Sequence, residues 1–421
     1  MSEDKLAIHG GKPYRTRPFP SVGNASGRML GDEEIALLSE VIRSGSLNRV
    51  GGSKVPQLET EFAQLYGRKH AIAVTSGTAA LHVAVGALNL EPSDEVITTT
   101  VTDMGTVIAI LMCNLVPTFA DVDARTGNTT AETIAAQISP KTRAIIVVHL
   151  FGQMADMDAI LALARERGLI VIEDCAQAHL SEYKGHLAGT MGTLGCFSFQ
   201  QSKQMTTGDG GMVLTDDDHL AYRCRLFADK GWPRGTGERG HLFLGPNYRL
   251  TELQGAVGIA QVRKVKEIVA RRRRTAELLA EMMDDIPGIN PPYLVPGSNP
   301  SWWIYAFTID EKKLGVAPAE FAKALQAEGI PFHVGYIPNP IFEYPVIRDR
   351  KTFGTSGIPW TLPQARKGIT YDRKDYAGTI QFLEKTFVTS WNEGMTEEDV
   401  RDITAGMAKV ASYYLRRTQI D

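Results

Sequence analysis

The chain contains few cysteines and no long apolar run, and these absences exclude several classes of protein. Its 421 residues include four cysteines, with no C-x-x-C motif and no histidine cluster, so neither a metal site nor a disulfide framework is indicated. No stretch approaches eighteen uninterrupted apolar residues, and the N-terminus lacks a basic segment followed by an apolar one. We therefore expect no membrane span, no export signal and a reducing, cytoplasmic location.

The charge of the chain is also unremarkable in size, since the formal net charge is −3 and 22% of residues are charged. Such a balance gives no reason to expect binding to nucleic acid or to an anionic membrane. The run Arg271–Arg274 stands out, but it continues a helical pattern. We interpret it as the solvated face of a long helix.

Short apolar runs alternate with helical patterns through the first two thirds of the chain. The apolar runs cover 71–74, 95–98, 116–120, 144–150, 169–172 and 212–214. The helical patterns cover 78–88, 106–113, 156–167 and 251–283. This alternation predicts an α/β fold of three layers, with a mostly parallel central sheet covered by helices on both faces.

The composition shifts toward proline, asparagine and serine after residue 288. A strand pattern at 302–309, a helix at 317–328 and a final helix at 397–415 then predict a smaller C-terminal α+β domain. We divide the chain into an N-terminal arm (1–28), a large domain (29–260), and a linking helix with the small domain (261–421).

Lys203 follows an apolar strand and precedes a glycine-rich turn. A lysine that forms a Schiff base must be partly desolvated, so that its amine is neutral near pH 7. Burial among Phe197, Phe199 and Met205 would lower the pKa of Lys203 in that direction. The alternative is a solvated loop lysine, because most lysines are exposed.

Asp174 ends a second apolar run, at the strand end where parallel α/β sheets bind ligands. Pyridoxal phosphate needs an anion beside its ring nitrogen, because a protonated pyridinium is the better electron sink. Asp174 is the candidate for that anion, and Gln177 could reach the phenolic oxygen of the cofactor from the same edge. The alternative is that Asp174 caps the next helix.

Ser76, Gly77 and Thr78 form a turn between a predicted strand and an alanine-rich helix. Backbone N–H groups and hydroxyls at the positive end of a helix dipole suit a phosphate dianion. Turns of this composition also cap helices that bind nothing. The order of the three segments along the chain is what favours a common site.

These segments resemble the pyridoxal-phosphate-dependent sugar aminotransferases of the DegT/StrS type, within the aspartate aminotransferase superfamily of fold type I. The resemblance runs nearly end to end and rests on Leu6–Pro13, Ser76–Thr78, Asp174 with Gln177, Phe197–Phe199, Lys203 and Asn247–Arg249. The opening segment, Leu6 to Arg17, is most similar to the subgroup that acts on keto-cyclitols of the scyllo-inosose type.

The resemblance implies a role for each matching residue. Lys203 would form the Schiff base, and Asp174 would hold the pyridinium. Gly77, Thr78 and Ser198 would hold the phosphate, and Asn247 would reach the phosphate from a neighbouring subunit. Asn247 could equally be a turn residue after Gly245-Pro246. A shared site of this kind predicts a homodimer.

One position departs from the family, which places an aromatic ring between two threonines to stack on the cofactor. This chain has Thr102-Asp103-Met104-Gly105-Thr106. Either Met104 covers the ring, or Asp103 contacts a substrate hydroxyl or ammonium instead; a third interpretation is that Asp103 caps the helix from Met104 to Cys113. The candidate cofactor-binding residues are therefore Ser76, Gly77, Thr78, Asp103, Met104, Asp174, Gln177, Ser198, Lys203 and Asn247, with Lys203 and Asp174 also catalytic.

The implied reaction is ping-pong transfer of an amino group from glutamate or glutamine to a keto-sugar or keto-cyclitol, in the biosynthesis of an amino sugar or aminocyclitol. Three alternatives stay open: a dehydratase or deaminase, an amino-hydroxybenzoate synthase, and a non-catalytic pyridoxal-phosphate-binding regulator. Family members that dehydrate sugars replace the lysine with histidine, so Lys203 argues against the first.

Overall fold

The computed structural model describes residues 5–237 and 240–418. Its strands are β1 (His70–Val74), β2 (Glu95–Thr99), β3 (Val116–Ala120), β4 (Thr142–Val148), β5 (Ile170–Asp174), β6 (Glu182–Tyr183), β7 (His186–Leu187), β8 (Leu194–Ser198), β9 (Gly211–Thr215), β10 (Ile289–Asn290), β11 (Ser298–Asn299), β12 (Ile304–Ile309), β13 (His333–Val334) and β14 (Phe387–Ser390).

Helices connect these strands and cover them. They are α1 (Asp32–Ser44), α2 (Lys54–Tyr66), α3 (Gly77–Ala87), α4 (Met104–Met112), α5 (Ala131–Ala135), α6 (Met157–Arg167), α7 (Asp218–Ala228), α8 (Glu252–Asp284), α9 (Glu311–Leu314), α10 (Pro318–Ala327), α11 (Pro345–Arg348), α12 (Ala377–Lys385) and α13 (Glu397–Thr418). Short 3-10 helices span Ala7–His9, Ala25–Gly27, Leu150–Gly152, Ile341–Glu343 and Arg373–Asp375.

The large domain is built on a seven-stranded sheet in the order β1-β9-β8-β5-β4-β2-β3. Strands β8, β5, β4, β2 and β3 run parallel, and β9 alone runs antiparallel to its neighbours β8 and β1. The predicted α/β class with a mostly parallel sheet is confirmed. Because β1 points the same way as the parallel strands, the C-terminal ends of β1, β2, β5 and β8 lie at one edge of the sheet.

Both faces of this sheet are buried, as the alternation of side chains along a strand requires. In β1, Ile72 and Val74 pack into the core beneath α3, α4 and α7, whereas Ala71 and Ala73 face the core beneath α2, α6 and α8. Near-continuous apolar strands are the sequence signature of such doubly covered sheets.

The C-terminal region forms a second core around a four-stranded antiparallel sheet in the order β10-β12-β14-β13. Helices α10 and α13 pack on this core, and Leu6 of the N-terminal arm is fully buried in it. The single helix α8 contributes Val265 to the large-domain core and Leu279 to the small-domain core. The division of the chain at 28/29 and 260/261 stays a prediction.

The prediction that the arginine run is solvated is wrong for Arg272. Four consecutive residues point to all sides of a helix with 3.6 residues per turn, so one of them faces inward. Arg272 is fully buried and donates two hydrogen bonds, of 3.0 and 2.7 Å, to Oε2 of Glu393. It also donates to the carbonyl oxygens of Trp302 and Trp391. Arg272 thereby ties α8 to the strands of the small domain.

Within the residues that the structure describes, we find no helix with the length and apolar character needed to traverse a bilayer. All four cysteines are free. The cytoplasmic location stays a prediction.

Replacement of Arg272 by leucine should therefore destabilise the fold strongly. The substitution leaves the Glu393 carboxylate buried without its cation, which typically costs about 3–5 kcal/mol of unfolding free energy. The neighbouring Arg271→Leu is the matched control. Arg271 is exposed, and among the described residues its one ion pair is with Glu267, one turn away; a pair of this type contributes at most about 1 kcal/mol. Urea unfolding of both variants measures the difference, and equal losses of stability would contradict the role given to Arg272.

Candidate active site

A cavity of about 320 Å³ opens at the edge of the sheet where β1, β2, β5 and β8 end. Of the predicted site residues, it brings together Ser76, Gly77, Thr78, Asp103, Asp174, Gln177, Ser198 and Lys203. Met104 and Asn247 are not among its lining residues. A larger cavity of about 550 Å³ lies between the two domains, and none of the predicted residues lines it.

Lys203 is only 8% exposed, so the interpretation as a solvated loop lysine is wrong. Burial lowers the pKa of Lys203 to about 7, although the negative charges of Asp174 and Asp103 oppose the shift. The ammonium nitrogen lies 3.3 Å from the centre of the Trp303 ring, an arrangement that favours the charged form. Because its pKa is about 7, small changes in the surroundings of the Lys203 amine can change its protonation state near neutral pH.

The backbone of the lysine turn is fixed from three directions. Lys203 N–H donates to the carbonyl of Gln200 at 2.9 Å. Arg28, from the N-terminal arm, donates to the carbonyl of Lys203 at 2.7 Å. The indole N–H of Trp303 donates to the carbonyl of Ser202 at 3.1 Å. Residues far apart in sequence thus hold the position of one side chain.

Asp174 lies at the end of β5 and is 5% exposed. The Thr106 hydroxyl donates to Oδ2 at 2.8 Å, and Ala176 N–H donates to Oδ1 at 3.1 Å. Thr106 also bonds the Thr102 hydroxyl at 2.9 Å. Burial raises the pKa of Asp174 despite these hydrogen bonds, and a cationic ring nitrogen beside it would oppose that shift. Residues 175–181 form turns, so the alternative that Asp174 caps a helix is wrong.

The turn at Ser76 presents the N-terminus of α3 to the cavity. Ser76 is the N-cap, and its Oγ accepts from Ala79 N–H at 3.0 Å. A Cβ atom on Gly77 would lie 2.7 Å from Cβ of Ser198, and one on Gly211 would lie 2.3 Å from the carbonyl oxygen of Ser76. Glycine at both positions lets the ends of β1, β8 and β9 approach closely. Helix N–H groups and the Thr78 and Ser198 hydroxyls form a donor set that fits a phosphate group.

Asp103 and Met104 have separate roles at the start of α4. Oδ1 of Asp103 accepts from Gly105 N–H at 2.8 Å, which confirms the prediction that Asp103 caps this helix. The same side chain lines the cavity. Met104 packs instead against the apolar cluster that contains Ile341 and Phe342.

Gln177 and two aromatic residues form the wall opposite the sheet edge. Oε1 of Gln177 accepts from Phe151 N–H at 2.7 Å, and its amide nitrogen lies 3.5 Å from the Tyr336 hydroxyl. Tyr336 packs edge-on against both Phe151 and Trp303. Tyr336 lies in the small domain, just after β13, and the sequence did not indicate Trp303 as a site residue. The only signal was the Trp302-Trp303 pair before β12, and a local pattern cannot place that strand opposite Lys203.

His149, Glu173 and Cys175 form a buried group whose potential metal-ligating atoms lie within 4.8 Å of one another. The Glu173 carboxylate accepts from the backbone N–H groups of Gly189, Met191 and Gly192 and lies 3.0 Å from Nε2 of His149. Nδ1 of His149 accepts from Ala155 N–H at 3.3 Å. These hydrogen bonds already engage the ring nitrogens of His149 and the carboxylate of Glu173. We therefore interpret His149 and Glu173 as residues that stabilise this end of the sheet.

Asn247 lies on an exposed loop outside the cavity. Its Oδ1 accepts a long hydrogen bond of 3.5 Å from Arg249 N–H, and Arg249 forms an ion pair with Asp229. In a single chain, Asn247 therefore does not reach the other predicted phosphate ligands.

The profile of the DegT/DnrJ/EryC1/StrS aminotransferase family matches residues 28–370. The chain belongs to this family. It is similar to the GDP-perosamine synthase of Caulobacter vibrioides (36% identity, covering 88% of this chain and 99% of the relative). It is also similar to the L-glutamine:2-deoxy-scyllo-inosose aminotransferase of Streptomyces kanamyceticus (33% identity, 98% of both chains).

Among solved structures, the fold resembles DesI in the presence of its TDP-sugar product, with a TM-score of 0.81, 26% identity, and coverage of 99% of this chain and 98% of that one. The family predicted from the sequence is therefore confirmed, and the chain is an aminotransferase.

The amine of Lys203 should react at neutral pH in the cofactor-free protein. Since burial lowers the pKa of Lys203 to about 7, we expect half-maximal labelling by a small acylating reagent near pH 7, followed at this peptide by mass spectrometry. Asp174→Asn should move the midpoint to lower pH, because the Asp174 charge favours the ammonium form. A midpoint near the ordinary lysine value of about 10.4, or an upward shift in the variant, would contradict this assignment.

Proposed function

We propose that this chain uses pyridoxal 5′-phosphate to move an amino group from glutamate or glutamine to a ketone on a sugar or cyclitol. The observation that carries the proposal is the buried Lys203 amine, whose pKa burial lowers to about 7, in one cavity with the Asp174 carboxylate and the N-terminus of α3. A neutral nucleophilic amine, a fixed anion and an anion-binding helix end are the three requirements of this cofactor.

The residues present fit the cofactor. Lys203 would hold its aldehyde carbon, Asp174 its ring nitrogen, and Gly77, Thr78 and Ser198 its phosphate. Gln177, whose amide nitrogen lies 3.5 Å from the Tyr336 hydroxyl, would contact the phenolic oxygen. When bound, the cofactor supplies an electron sink for the pair of electrons released when the donor's α-proton is removed.

The protein's own part in the reaction is the movement of that proton. Lys203, freed by the incoming donor amine, would accept the proton from the donor α-carbon and deliver it to the carbon that bears the transferred nitrogen. The Trp303 ring lies against the Lys203 amine on the small-domain side, and Tyr336 packs edge-on against that ring. Together they would limit the access of water to the amine. The hydrogen bonds from Thr106 and Ala176 favour the ionised form of Asp174 and oppose the effect of burial on its pKa.

The two relatives support the class of acceptor, since one carries a scyllo-inosose aminotransferase name and the other a perosamine synthase name. The 98% coverage of the first includes the N-terminal arm. A keto-cyclitol and a nucleotide keto-sugar are therefore the acceptors to test, with biosynthesis of an amino sugar or aminocyclitol as the setting.

We also propose that two chains share each site, with Asn247 completing the phosphate pocket of the partner. Several apolar side chains on the described surface support an interface: Leu244 is 93% exposed, and Ile35 and Ile42 of α1 are each 61% exposed. Leu244 lies three residues before Asn247, so an interface over this loop would carry Asn247 with it.

Amine transfer is tested directly with the purified holoenzyme. We expect glutamate or glutamine to convert the cofactor to its amino form, and a keto-cyclitol or keto-sugar to restore the absorbance of the aldehyde form. Borohydride reduction before the donor is added should attach a pyridoxyl group to Lys203, as peptide mass spectrometry would show. The same label on an exposed control residue such as Lys367, with none on Lys203, would refute the proposed function.

Shared sites predict complementation between two inactive variants. Lys203→Ala and Asn247→Ala chains, each of low activity alone, should regain about a quarter of the wild-type activity when they are mixed and allowed to exchange subunits, because half the dimers are hybrids with one intact site each. Steady-state assays before and after exchange measure the gain. If Asn247 serves its own chain, mixing gives no recovery.

A further inference from the structure

Trp303 presents the face of its indole ring to the amine of Lys203. The ammonium nitrogen lies 3.3 Å from the ring centre, well inside the distance of about 6 Å over which an aromatic face attracts a cation. Among the described residues, none forms a hydrogen bond or an ion pair with this nitrogen. The charges of Asp174 and Asp103 act on it through space. The ring is therefore the group in direct contact with the reactive atom.

Four hydrogen bonds hold the ring in this position. The indole N–H of Trp303 donates to the carbonyl of Ser202 at 3.1 Å and lies 3.2 Å from its Oγ. The backbone N–H of Trp303 donates to the carbonyl of Phe151 at 2.8 Å, and its carbonyl accepts from Trp391 N–H at 3.1 Å. Tyr336 also packs edge-on against the ring. The indole cannot turn away from the amine without losing these contacts.

The backbone that places Trp303 is strained at two points. Phe151, which accepts the Trp303 N–H, has φ 62°, and Trp302, the preceding residue, has φ 49°. The left-handed region is unfavourable for residues other than glycine, and such residues persist where the surrounding structure holds them, often at functional sites. Both residues are buried. The strain is consistent with a segment whose role is to place the Trp303 ring.

The proposed reaction changes the charge of Lys203. When Lys203 accepts the α-proton of the donor, the C–H bond breaks, an N–H bond forms, and the bonding electron pair passes to the cofactor. The neutral amine then becomes an ammonium where burial disfavours a cation. A group that attracts the ammonium more than the amine lowers the barrier of this step. An aromatic face does so and, unlike a carboxylate, has no basic atom that could take the proton.

We propose that Trp303 is a catalytic residue that stabilises the ammonium of Lys203 during proton transfer, through the face of its indole ring. This inference rests on the proposed function and adds a residue to its machinery. The ring also gives the free lysine amine one fixed resting position in both half-reactions.

Other ionisable groups around Lys203 come from several elements. They are Asp103 at the start of α4, Asp174 in β5, His179 in the turn after β5, Asp209 in the turn before β9, Arg272 in α8 and Tyr336 after β13. Burial lowers the pKa of His179 to about 4, so its ring is neutral at pH 7. None of these groups is altered in the experiment below, so differences between variants report on the Trp303 ring.

The test uses Trp303→fluorotryptophan variants with one, two or three fluorine atoms on the ring. Fluorine withdraws electrons from the ring face, so each atom weakens the attraction for a cation, while the ring keeps its N–H and nearly its size. In the cofactor-free protein, the midpoint pH for acylation of Lys203 should fall stepwise, by roughly one pH unit across the series, because the ammonium loses stabilisation. A ring that acts by excluding water would leave the midpoint unchanged.

The same fluorinated residues at Trp302 are the matched control. Trp302 is adjacent in sequence and buried, but it lines the second cavity and not the one that contains Lys203. Its ring packs against Tyr305, with 5.1 Å between the ring centroids. Fluorination at this position should leave the midpoint at the wild-type value.

The donor half-reaction of the holoenzyme gives a kinetic readout. At roughly pH 9, where the amine is neutral in every variant, stopped-flow absorbance follows conversion of the cofactor by glutamate or glutamine. The rate should fall about threefold across the Trp303 series, because the transition state carries part of the ammonium charge. A donor with deuterium at its α-carbon should react more slowly, and this isotope effect should grow as proton transfer limits the rate more fully.

The outcomes separate this inference from the proposed function. Equal midpoints across the Trp303 series overturn the attraction between ring and ammonium and leave the aminotransferase in place. A midpoint that falls while the half-reaction rate stays constant overturns the catalytic role. If neither donor converts the cofactor of the wild-type holoenzyme, the proposed function fails and this inference fails with it, even where the midpoint of the cofactor-free protein shifts.

Discussion

The burial of one amine is the constraint on which the rest of the site depends. Lys203 can be a nucleophile at neutral pH only if water is kept from it, yet a buried ammonium needs nearby negative charge and a polarisable face. The structure meets both needs, with Asp174 and Asp103 across the cavity and the Trp303 ring against the nitrogen. Asp174, whose charge makes this burial tolerable, is also the group that would hold the cofactor in the proposed reaction.

The elements that hold this amine come from every part of the chain. The N-terminal arm supplies Arg28, the large domain supplies the sheet edge, and the small domain supplies Trp303. Arg28 is nearly buried, and its Nε and Nη2 lack hydrogen-bond partners within the described residues. Buried donors without partners cost folding free energy. This cost is consistent with a role of Arg28 in fixing the carbonyl group of Lys203.

The sequence was sufficient for whatever depends on local pattern. Alternating apolar runs predicted β1 to β5 and β9 to within a few residues, and strand ends predicted the positions of Asp174 and Ser76. It failed where the answer depends on which elements meet. Arg272 is buried because it pairs with Glu393, 121 residues further along the chain. Trp303 joins the site because the segment before β12 packs against the turn at Ser202, 101 residues earlier. At Asp103 two roles coincide, since Oδ1 caps α4 and the side chain also lines the cavity.

Helix α8 runs without a break for 33 residues, roughly 50 Å at 1.5 Å per residue, and is anchored in the core at each end. A rod of this kind leaves no flexible joint along its length at which the two halves of the molecule can bend independently. A change in the angle between the two domains would therefore require this helix to bend or its contacts with the two cores to shift. The large and small domains should respond to ligand as a single mechanical body.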